Sequence, residues 1–345
     1  MDRLFFLLSG EHETLPTSEL KAVLEAEGYA FENSQKLDQV LKLEANQASV
    51  EAIKRRAALT RLCGLELFTC KRDERNITDC VNKVDFGKIL RDNDTIAVRI
   101  KRVKNYASKN DVMGYEGKIG KRILSQNKKA RVNLKNPDKT FTGILTGKEL
   151  IFGLRLARIP AKPFVERRPR KKPFFHPSAM SAKLSRCMVN LTEAKNGDLL
   201  LDPFCGTGSM LIEAALIGCE ALGLDVQRRM IKGTLKNMKH FELEAEGLIM
   251  ADARTLPTSK VDCVATDPPY GRSTITLKRS TNQLIEEMLE AVHEPLGKGR
   301  RVCIAAPKTC NIRAIGTSLG YKHLESHFVY VHRSLTREVA VFKKM

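Results

Sequence analysis

The chain has 345 residues and a formal net charge of +19 at pH 7. Single hydrophobic cores stop growing at about 250–300 residues, so this length predicts two or three domains. No stretch approaches the roughly 20 consecutive apolar residues of a membrane-spanning helix, and the nine cysteines contain no C-x-x-C pair. We therefore exclude an integral membrane protein and a disulfide scaffold, and we expect a cytoplasmic protein with reduced thiols, no bound metal and no membrane partner.

The positive charge is concentrated in the middle of the chain. Residues 99–172 contain 22 lysines and arginines against 5 aspartates and glutamates. A strong positive electrostatic field normally serves to bind a polyanion. A membrane-binding segment would also contain an amphipathic helix with a broad apolar face, and none accompanies these cations. The segment therefore favours nucleic acid over an anionic membrane. The candidate contacts to it are Arg99, Lys101, Arg102, Lys104, Lys121 and Arg122.

The first predicted domain covers residues 1–75 and is a small α+β unit of ferredoxin-like type. A strand is predicted over residues 3–8. The stretch from Thr17 to Gly28 has a hydroxyl cap, apolar residues at helical spacing and a terminal glycine, which together predict a helix. Helical spacing returns over residues 48–62. This domain carries no recognisable chemistry.

The second predicted domain covers residues 76–157. Its strand over Thr95–Val103 alternates apolar with polar or basic side chains, which predicts one buried face and one charged face. A helix is predicted over Val112–Ser125, and two strands follow over Thr140–Leu145 and Glu149–Leu156. This order of elements resembles a THUMP module, an RNA-binding unit of RNA-modifying enzymes. The resemblance makes RNA the expected polyanion.

Residues 158–174 are predicted to be a stiff, basic linker between domains. Within them, Pro160–Pro173 holds four prolines, six basic residues and one acid, a composition that we expect to form neither a helix nor a central strand. From residue 175 to residue 345, short apolar runs alternate with helical patterns. That alternation predicts an α/β domain of Rossmann-like type, with a parallel sheet covered by helices.

A glycine-rich turn follows the first predicted strand of this last domain. The strand ends at Asp202, and the turn contains Gly206 and Gly208 without a third glycine at dinucleotide spacing. Asp225 ends the next strand about 20 residues later, where a ribose diol can be held, and Asp252 ends the one after it. These acids suit S-adenosylmethionine (SAM), with Asp202 near the methionine amino group, Asp225 on the ribose and Asp252 on the adenine amine.

The segment Asp267-Pro268-Pro269-Tyr270 follows a short apolar run that is predicted to be a buried strand. Two prolines must end the sheet ladder, because neither ring nitrogen can donate a hydrogen bond. The Asp267 carboxylate and the Pro268 carbonyl can each accept one N–H of a planar amino group, while the Tyr270 ring stacks on the attached heterocycle. We therefore predict that Asp267, Pro268 and Tyr270 are catalytic residues for transfer to an exocyclic amine.

The motifs LDPFCGTG, GLD, ADA and DPPYGRS together resemble those of Rossmann-fold, SAM-dependent amino-methyltransferases. With the N-terminal segment LLSGEHETLPTSELKAVLEAEG, nearly the whole chain is similar to the archaeal tRNA guanine-N2 methyltransferases acting at position ten. It is also similar to the catalytic subunit of the eukaryotic equivalent. The resemblance implies SAM as cofactor and methylation of N2 of a guanosine in tRNA. It leaves open whether one or two methyl groups are added and whether a small zinc-binding activator subunit is needed. A monomer is the default expectation.

The resemblance also adds candidate site residues. The segment Phe174–Ser181 is similar to the one that lines the methionine end of SAM, which implies a cofactor-lining role for His176. Arg272, just after the catalytic motif, is a further candidate for a phosphate contact. The full set of predicted cofactor-binding residues is His176, Pro177, Met180, Asp202, Phe204, Cys205, Gly206, Thr207, Gly208, Asp225, Val226, Asp252 and Ala253.

Three other functions remain open at this point. Methylation of an rRNA guanine N2 would use the same chemistry, and the DPPY motif also occurs in DNA adenine-N6 methyltransferases. The RNA-type N-terminal module and the lack of a recognisable target-recognition domain disfavour DNA. A non-catalytic RNA-binding protein is disfavoured by the intact Asp267 and cofactor motif.

Overall fold

The computed structural model describes residues 1–104, 108–270 and 280–345. Its contacts group the chain into two compact units. The first unit comprises Met1–Glu13, Tyr29–Lys54 and Thr60–Ile159, and the second comprises Thr14–Gly28, Arg55–Leu59 and Pro160–Met345. The predicted division at residues 75, 157 and 174 follows composition rather than contacts and stays a prediction.

The strands of the first unit join in one mixed sheet. They are β1 (Asp2–Leu8), β2 (Phe31–Leu37), β3 (Val40–Ala45), β4 (Thr60–Lys71), β5 (Thr95–Arg102), β6 (Arg131–Val132), β7 (Lys139–Thr146) and β8 (Glu149–Arg158). Their order is β2-β3-β1-β4-β8-β7-β5-β6. The long strands β4 and β8 pair antiparallel in its centre, so one sheet contains strands of both the predicted α+β domain and the predicted THUMP module.

The α-helices of the described residues alternate along the chain with the strands of both units. In chain order they are α1 (Leu15–Ala26), α2 (Ser49–Arg56), α3 (Glu74–Lys83), α4 (Lys109–Gln126), α5 (Lys162–Glu166), α6 (Ala182–Leu191), α7 (Ser209–Ala215), α8 (Arg228–His240), α9 (Thr281–His293) and α10 (Ile312–Ser318). None of these helices is long and apolar enough to cross a lipid bilayer.

The helix predicted over residues 48–62 is wrong in its second half. Helix α2 ends at Arg56, and strand β4 begins at Thr60. Strand β4 lies between β1 and β8 and has buried side chains on both of its faces, so its sequence lacks the alternation that marks a half-exposed strand. Its apolar residues therefore also match the spacing of a helix.

The THUMP part of the first unit follows the prediction more closely. Helix α4 contains the predicted Val112–Ser125 and begins after a capping box. In that box the Ser108 hydroxyl accepts a hydrogen bond from the Asp111 amide, and the Asp111 carboxylate accepts one from the Ser108 amide. Strands β7 and β8 cover the two predicted strands that follow.

The second unit has a doubly wound sheet. Its strands are β9 (Leu199–Asp202), β10 (Glu220–Asp225), β11 (Gly247–Met250), β12 (Cys263–Thr266), β13 (Arg301–Pro307), β14 (Tyr321–His332) and β15 (Leu335–Lys344). The order is β11-β10-β9-β12-β13-β15-β14, with β9 to β13 parallel and β15 antiparallel to both neighbours. The direction of winding reverses between β9 and β12, which opens a crevice at their carboxyl ends. The predicted Rossmann-like α/β fold is confirmed.

The central strands of this sheet are buried on both faces. In β9, Leu200 packs into the hydrophobic cluster on one face and Leu201 into the cluster on the other, and both are fully buried. In β12, Cys263 packs into the same cluster as Leu200, and Val264 packs into the same cluster as Leu201. This two-sided burial fixes the register of each strand, and therefore the height at which Asp202 leaves the sheet.

The prediction that residues 160–173 form no helix is wrong. Helix α5 places Pro163 in its first turn, where the missing N–H of proline would not be used. The Arg167 guanidinium then forms two hydrogen bonds with the buried carboxylate of Glu213 in α7, at 2.7 and 3.1 Å. Charge and proline content predicted an extended linker, but the buried partner of Arg167 fixes the segment in the second unit.

Helix α1 belongs by its contacts to the second unit, although its sequence lies in the first predicted domain. The carboxylate of Glu19 is fully buried and accepts hydrogen bonds from the amides of Ala58 and Leu59 at 2.9 and 2.7 Å. It also accepts one from the Asn190 amide of α6 at 3.0 Å. The Ser18 hydroxyl donates to Glu325 in β14 at 2.7 Å. Such polar contacts between distant parts of the chain leave no local pattern in the sequence.

Candidate active site

A cavity of about 290 Å³ lies at the carboxyl ends of β9, β10 and β12. This volume is close to the lower end of the range for small-molecule sites, about 300–1,000 Å³. All three predicted catalytic residues line it, and so do the predicted cofactor residues except Pro177 and Gly208. The fold therefore brings together residues that are up to 94 positions apart in sequence, from His176 to Tyr270.

The glycine-rich turn is built against the neighbouring strand. Gly206 and Gly208 have φ angles of 51° and 75°, in the left-handed region that favours glycine. A Cβ atom on Gly208 would lie 2.7 Å from Cγ2 of Thr234 in α8. The Cys205 amide donates to the Leu224 carbonyl at 2.8 Å, and the Gly206 amide donates to the Asp225 carboxylate at 3.1 Å. The turn consequently has one backbone conformation and closes one wall of the cavity.

Asp202 is buried at the end of β9 and is 2% exposed. Its Oδ1 accepts hydrogen bonds from the Thr266 hydroxyl at 2.7 Å and from the Phe204 amide at 3.1 Å. Burial raises the pKa of Asp202 to about 7 against the lowering by these two bonds, and the charges of Asp267 and Asp225 also raise it. Buried acids that repel one another are best compensated by a cationic ligand.

The other two strand-end acids are held differently. Asp225 accepts hydrogen bonds from the Gln227 amide at 2.8 Å and from the Gly206 amide, which fix the plane of its carboxylate. Asp252 forms an ion pair with Arg254, 2.6 Å between Nη2 and Oδ2, and Nε of the same arginine donates to Oδ1 at 2.9 Å. Sequence analysis did not identify Arg254 as the partner of Asp252.

Asp267 lies directly after β12, and its side chain is 17% exposed. Its Oδ2 forms an ion pair of 3.4 Å with Nη2 of Arg337. Its Oδ1 is buried and has no hydrogen-bond partner within residues 1–104, 108–270 and 280–345. Burial raises the pKa of Asp267 to about 6, although the Arg337 charge and the Tyr270 hydroxyl lower it. A buried oxygen of this kind fits an incoming N–H donor.

Arg337 is the main residue that sequence analysis missed. It lines the cavity, pairs with Asp267, and donates a hydrogen bond from Nε to the Tyr270 hydroxyl. Antiparallel pairing of β15 with β13 places Arg337 opposite Pro307, at the carboxyl edge of the sheet. Its position follows from a strand register rather than from a local motif, so no signal in the sequence marks it. Arg272 lies outside the described residues.

The candidate RNA contacts lie in the first unit and have different surroundings. Lys104 forms an ion pair with Asp38 at 3.1 Å. The Arg99 guanidinium donates to the Leu134 carbonyl at 2.8 Å. The remaining candidates are exposed: Lys101 and Arg102 at the end of β5, and Lys121 and Arg122 on α4.

Two arginines of β8 join Arg99 and Lys101 in a group that we call the cationic sheet patch: Arg99, Lys101, Arg155 and Arg158. Desolvation and the charges of Arg158 and Arg155 lower the pKa of Lys101. Desolvation and the charges of Arg158 and Arg99 do the same to Arg155. Positive charges gathered in one place in this way are the electrostatics expected of a polyanion site. Sequence analysis counted Arg155 and Arg158 in the basic middle segment but did not name them as candidate contacts.

The cavity fits SAM. Buried carboxylates at the ends of β9 and β10 suit its cationic groups and its ribose, and the left-handed glycine turn permits close approach of a ligand to the backbone. The second unit is therefore a Rossmann-fold, SAM-dependent methyltransferase.

Comparisons with known proteins agree with this class. The family model for the RMKL-like methyltransferase domain matches residues 169–338, and that for the THUMP domain matches residues 71–151. The chain is 34% identical over 343 residues to the tRNA (guanine(10)-N2)-dimethyltransferase of Methanothermobacter thermautotrophicus, covering 99% of each chain. It is 32% identical over 365 residues to the enzyme of the same name from Methanocaldococcus jannaschii, again covering 99% of each. The chain belongs to the family of archaeal tRNA guanine-10 N2-methyltransferases.

Among solved structures, the crystal structure of TrmN from Thermus thermophilus has the same fold. The TM-score is 0.54 at 18% sequence identity, and the alignment covers 99% of this chain and 100% of that one. The family models and the curated relatives confirm the predicted THUMP domain, methyltransferase fold and cofactor class, while the roles of individual site residues stay predictions.

Gly208→Ala tests how far the cavity depends on the glycine turn. The new Cβ atom would meet Thr234 in addition to the strain of a positive φ, so we expect SAM affinity to fall by about tenfold or more. Gly197→Ala is the matched control, since Gly197 has a φ of 80° and open space around its Cβ position. Calorimetric titration with SAM measures both; equal losses in the two variants would contradict the expected close contact.

Proposed function

We propose that this protein transfers a methyl group from SAM to the exocyclic N2 of guanosine 10 in tRNA. The observation that supports it most directly is the buried Oδ1 of Asp267, which lies in the same cavity as the glycine turn and has no hydrogen-bond partner among the residues that the structure describes. The cofactor supplies an electrophilic methyl group there. Everything else in the reaction falls to the protein, which must grip a weakly nucleophilic amine and accept its proton.

The amino group of guanine is a poor nucleophile, because its lone pair is delocalised into the ring. If Asp267 and the Pro268 carbonyl each accept one N–H, the nitrogen becomes more pyramidal and its lone pair points away from both acceptors. Tyr270 would stack on the base, which must leave its helix to reach the cavity. An acceptor with a pKa of about 6 also takes up the proton more readily than an ordinary aspartate, with a pKa of about 3.9.

Arg337 completes this arrangement as a positioning residue. Its guanidinium pairs with Oδ2 of Asp267, so the carboxylate stays ionised in a buried place and keeps Oδ1 directed away from the ion pair. The same guanidinium holds the Tyr270 hydroxyl and thereby the orientation of the aromatic ring. One side chain therefore fixes both groups that would touch the base.

We further propose that the chain acts as a monomer in the cytoplasm, with a small zinc-binding activator subunit as a further candidate partner. A single peak of monomer mass on a sizing column would support the monomer. Activity of the purified chain alone would show that no such subunit is required.

The substrate is tested by incubating the purified chain with labelled SAM and an unmodified tRNA transcript, followed by digestion to nucleosides. We expect label in N2-methylguanosine or its dimethyl form, and none with a transcript in which guanosine 10 is replaced by adenosine. Asp267→Ala should lower the rate by at least about 100-fold while tRNA affinity stays within twofold. Label in N6-methyladenosine, or label in rRNA but not in tRNA, would contradict the proposal.

The pH dependence tests the pairing of Asp267 with Arg337. Because burial raises the pKa of Asp267 to about 6, the rate at saturating SAM and tRNA should fall as the pH drops through 6. Arg337→Met removes the cation that lowers this pKa, so the midpoint of the fall should move to higher pH. Arg337→Lys keeps the charge and should leave the midpoint close to that of the wild type. An unchanged midpoint in the methionine variant would show that Asp267 is not the titrating group.

The cationic sheet patch is tested by Arg155→Gln with Arg158→Gln. We expect tRNA affinity to fall by about tenfold and the slope of log affinity against log salt to become shallower by one to two phosphate contacts. Lys121→Gln with Arg122→Gln on α4 is the matched control, because it removes the same charge from a different surface of the first unit. If the α4 pair lost more affinity than the β8 pair, the helix and not the sheet would be the RNA surface.

A further inference from the structure

Lys172 carries a buried ammonium group that forms no hydrogen bond with a carboxylate of the described residues. Its residue is 6% exposed, and Nζ donates a hydrogen bond to Oγ of Ser209 at 2.9 Å. The neighbouring carboxylate of Glu213 is already occupied, since Arg167 takes Oε1 at 2.7 Å and Arg186 reaches Oε2 at 2.9 Å. Within the described part of the chain, the hydroxyl oxygen of Ser209 is therefore the acceptor for the Lys172 ammonium group.

A charge in this position needs compensation. Burial lowers the pKa of Lys172 to about 8 against the raising by the charge of Glu213, and the charge of Arg167 adds to the lowering, so the group is still largely protonated at neutral pH. A buried cation without a hydrogen-bonded counter-ion is costly unless a ligand supplies one. The missing partner should be an anion that enters with the ligand.

The direction of the hydrogen bond shows where this anion would sit. An ammonium group can only donate, so the Ser209 oxygen accepts from Lys172 and its own proton is left for another acceptor. Ser209 lines the cofactor cavity, as does Thr207, whose hydroxyl is 3.4 Å away. Ser209 can consequently donate into the cavity while the charge of Lys172 lies behind it.

We propose that Ser209 binds the carboxylate of the methionine part of SAM and that Lys172 is the positioning residue that orients and polarises this hydroxyl. The carboxylate is the one anionic group of the cofactor. The acids Asp202, Asp225 and Asp267 would repel it from the other side of the cavity and attract the cationic groups. This inference rests on SAM as the cofactor in the proposed function, but not on the identity of the methylated nucleotide.

Among the described residues, two other cations line the cavity and could compete for the carboxylate. Arg337 is engaged by Asp267 and by the Tyr270 hydroxyl. Arg229 is exposed, and its guanidinium carbon lies 5.7 Å from the centre of the Phe174 ring. An exposed arginine loses more conformational freedom on binding than a buried lysine that is already held in place. Arg229→Met nevertheless belongs in the test as the competing assignment.

The experiment compares two ligands by calorimetry on the full chain: SAM and decarboxylated SAM, which lacks the carboxylate and retains the amine and the sulfonium. Lys172→Met and Ser209→Ala should each weaken SAM binding by about 10- to 100-fold and leave the affinity for decarboxylated SAM within twofold. The double variant should be no weaker than either single variant by more than about threefold, because the two side chains act as one unit. Methionine at position 172 keeps the apolar stem and removes the buried charge.

Equal losses for both ligands would overturn the inference, since they would reflect the shape of the cavity rather than recognition of a carboxylate. The inference would also be overturned if Arg229→Met alone lost affinity for SAM and kept its affinity for decarboxylated SAM. These binding data do not depend on methyl transfer. A protein that methylates no guanosine but still shows the carboxylate-specific loss would refute the proposed function and support this inference.

Discussion

The reversal of winding between β9 and β12 is the constraint on which the site depends. It brings the carboxyl ends of two neighbouring parallel strands together without a helix between them, so Asp202 and Thr266 meet and form a hydrogen bond of 2.7 Å. Asp267 is the next residue in the chain. Asp202 would hold the methyl donor and Asp267 would hold the amine. The two residues are thus connected through one buried hydrogen bond, from the Thr266 hydroxyl to Asp202.

The electrostatics of the cavity follow from this geometry. Burial raises the pKa of Asp202, Asp225 and Asp267, and the charges of Asp267 and Asp225 both raise the pKa of Asp202 as well. Arg337 compensates Asp267 from one side, and Lys172 supplies positive charge near the glycine turn from the other. A zwitterionic ligand with separated charges suits such a cavity better than a neutral ligand or a simple anion would.

Positive charge is used differently in the two units. In the second unit the key cations are buried and positioned by hydrogen bonds, as with Arg167 on Glu213. In the first unit, desolvation and the charge of Arg158 lower the pKa of both Lys101 and Arg155 in the cationic sheet patch, and no carboxylate is among the main causes. The first arrangement suits a small ligand held in one orientation, and the second suits the delocalised charge of a nucleic-acid backbone.

Sequence patterns alone predict the parts of the site that depend on local chemistry. Glycines in a tight turn, acids at strand ends and a diproline after a buried strand are short-range requirements, and most of the residues that they mark line the cavity. Fold class followed from the alternation of apolar runs and helical patterns. The resemblance to tRNA guanine-N2 methyltransferases rested on the same motifs, and the comparisons confirmed it.

Other features of the site depend on strand register and on contacts between residues that are distant in the sequence, and these become visible only in the tertiary structure. Arg337 reaches Asp267 because β15 runs antiparallel to β13, and no neighbouring residue in the sequence signals that pairing. Helix α1 joins the methyltransferase unit through Glu19, whose amide partners lie about 40 residues away along the chain. The supposed linker is ordered because Arg167 finds a buried carboxylate in α7. Composition records which charges a chain contains, but only the fold determines which of them are buried and what they face.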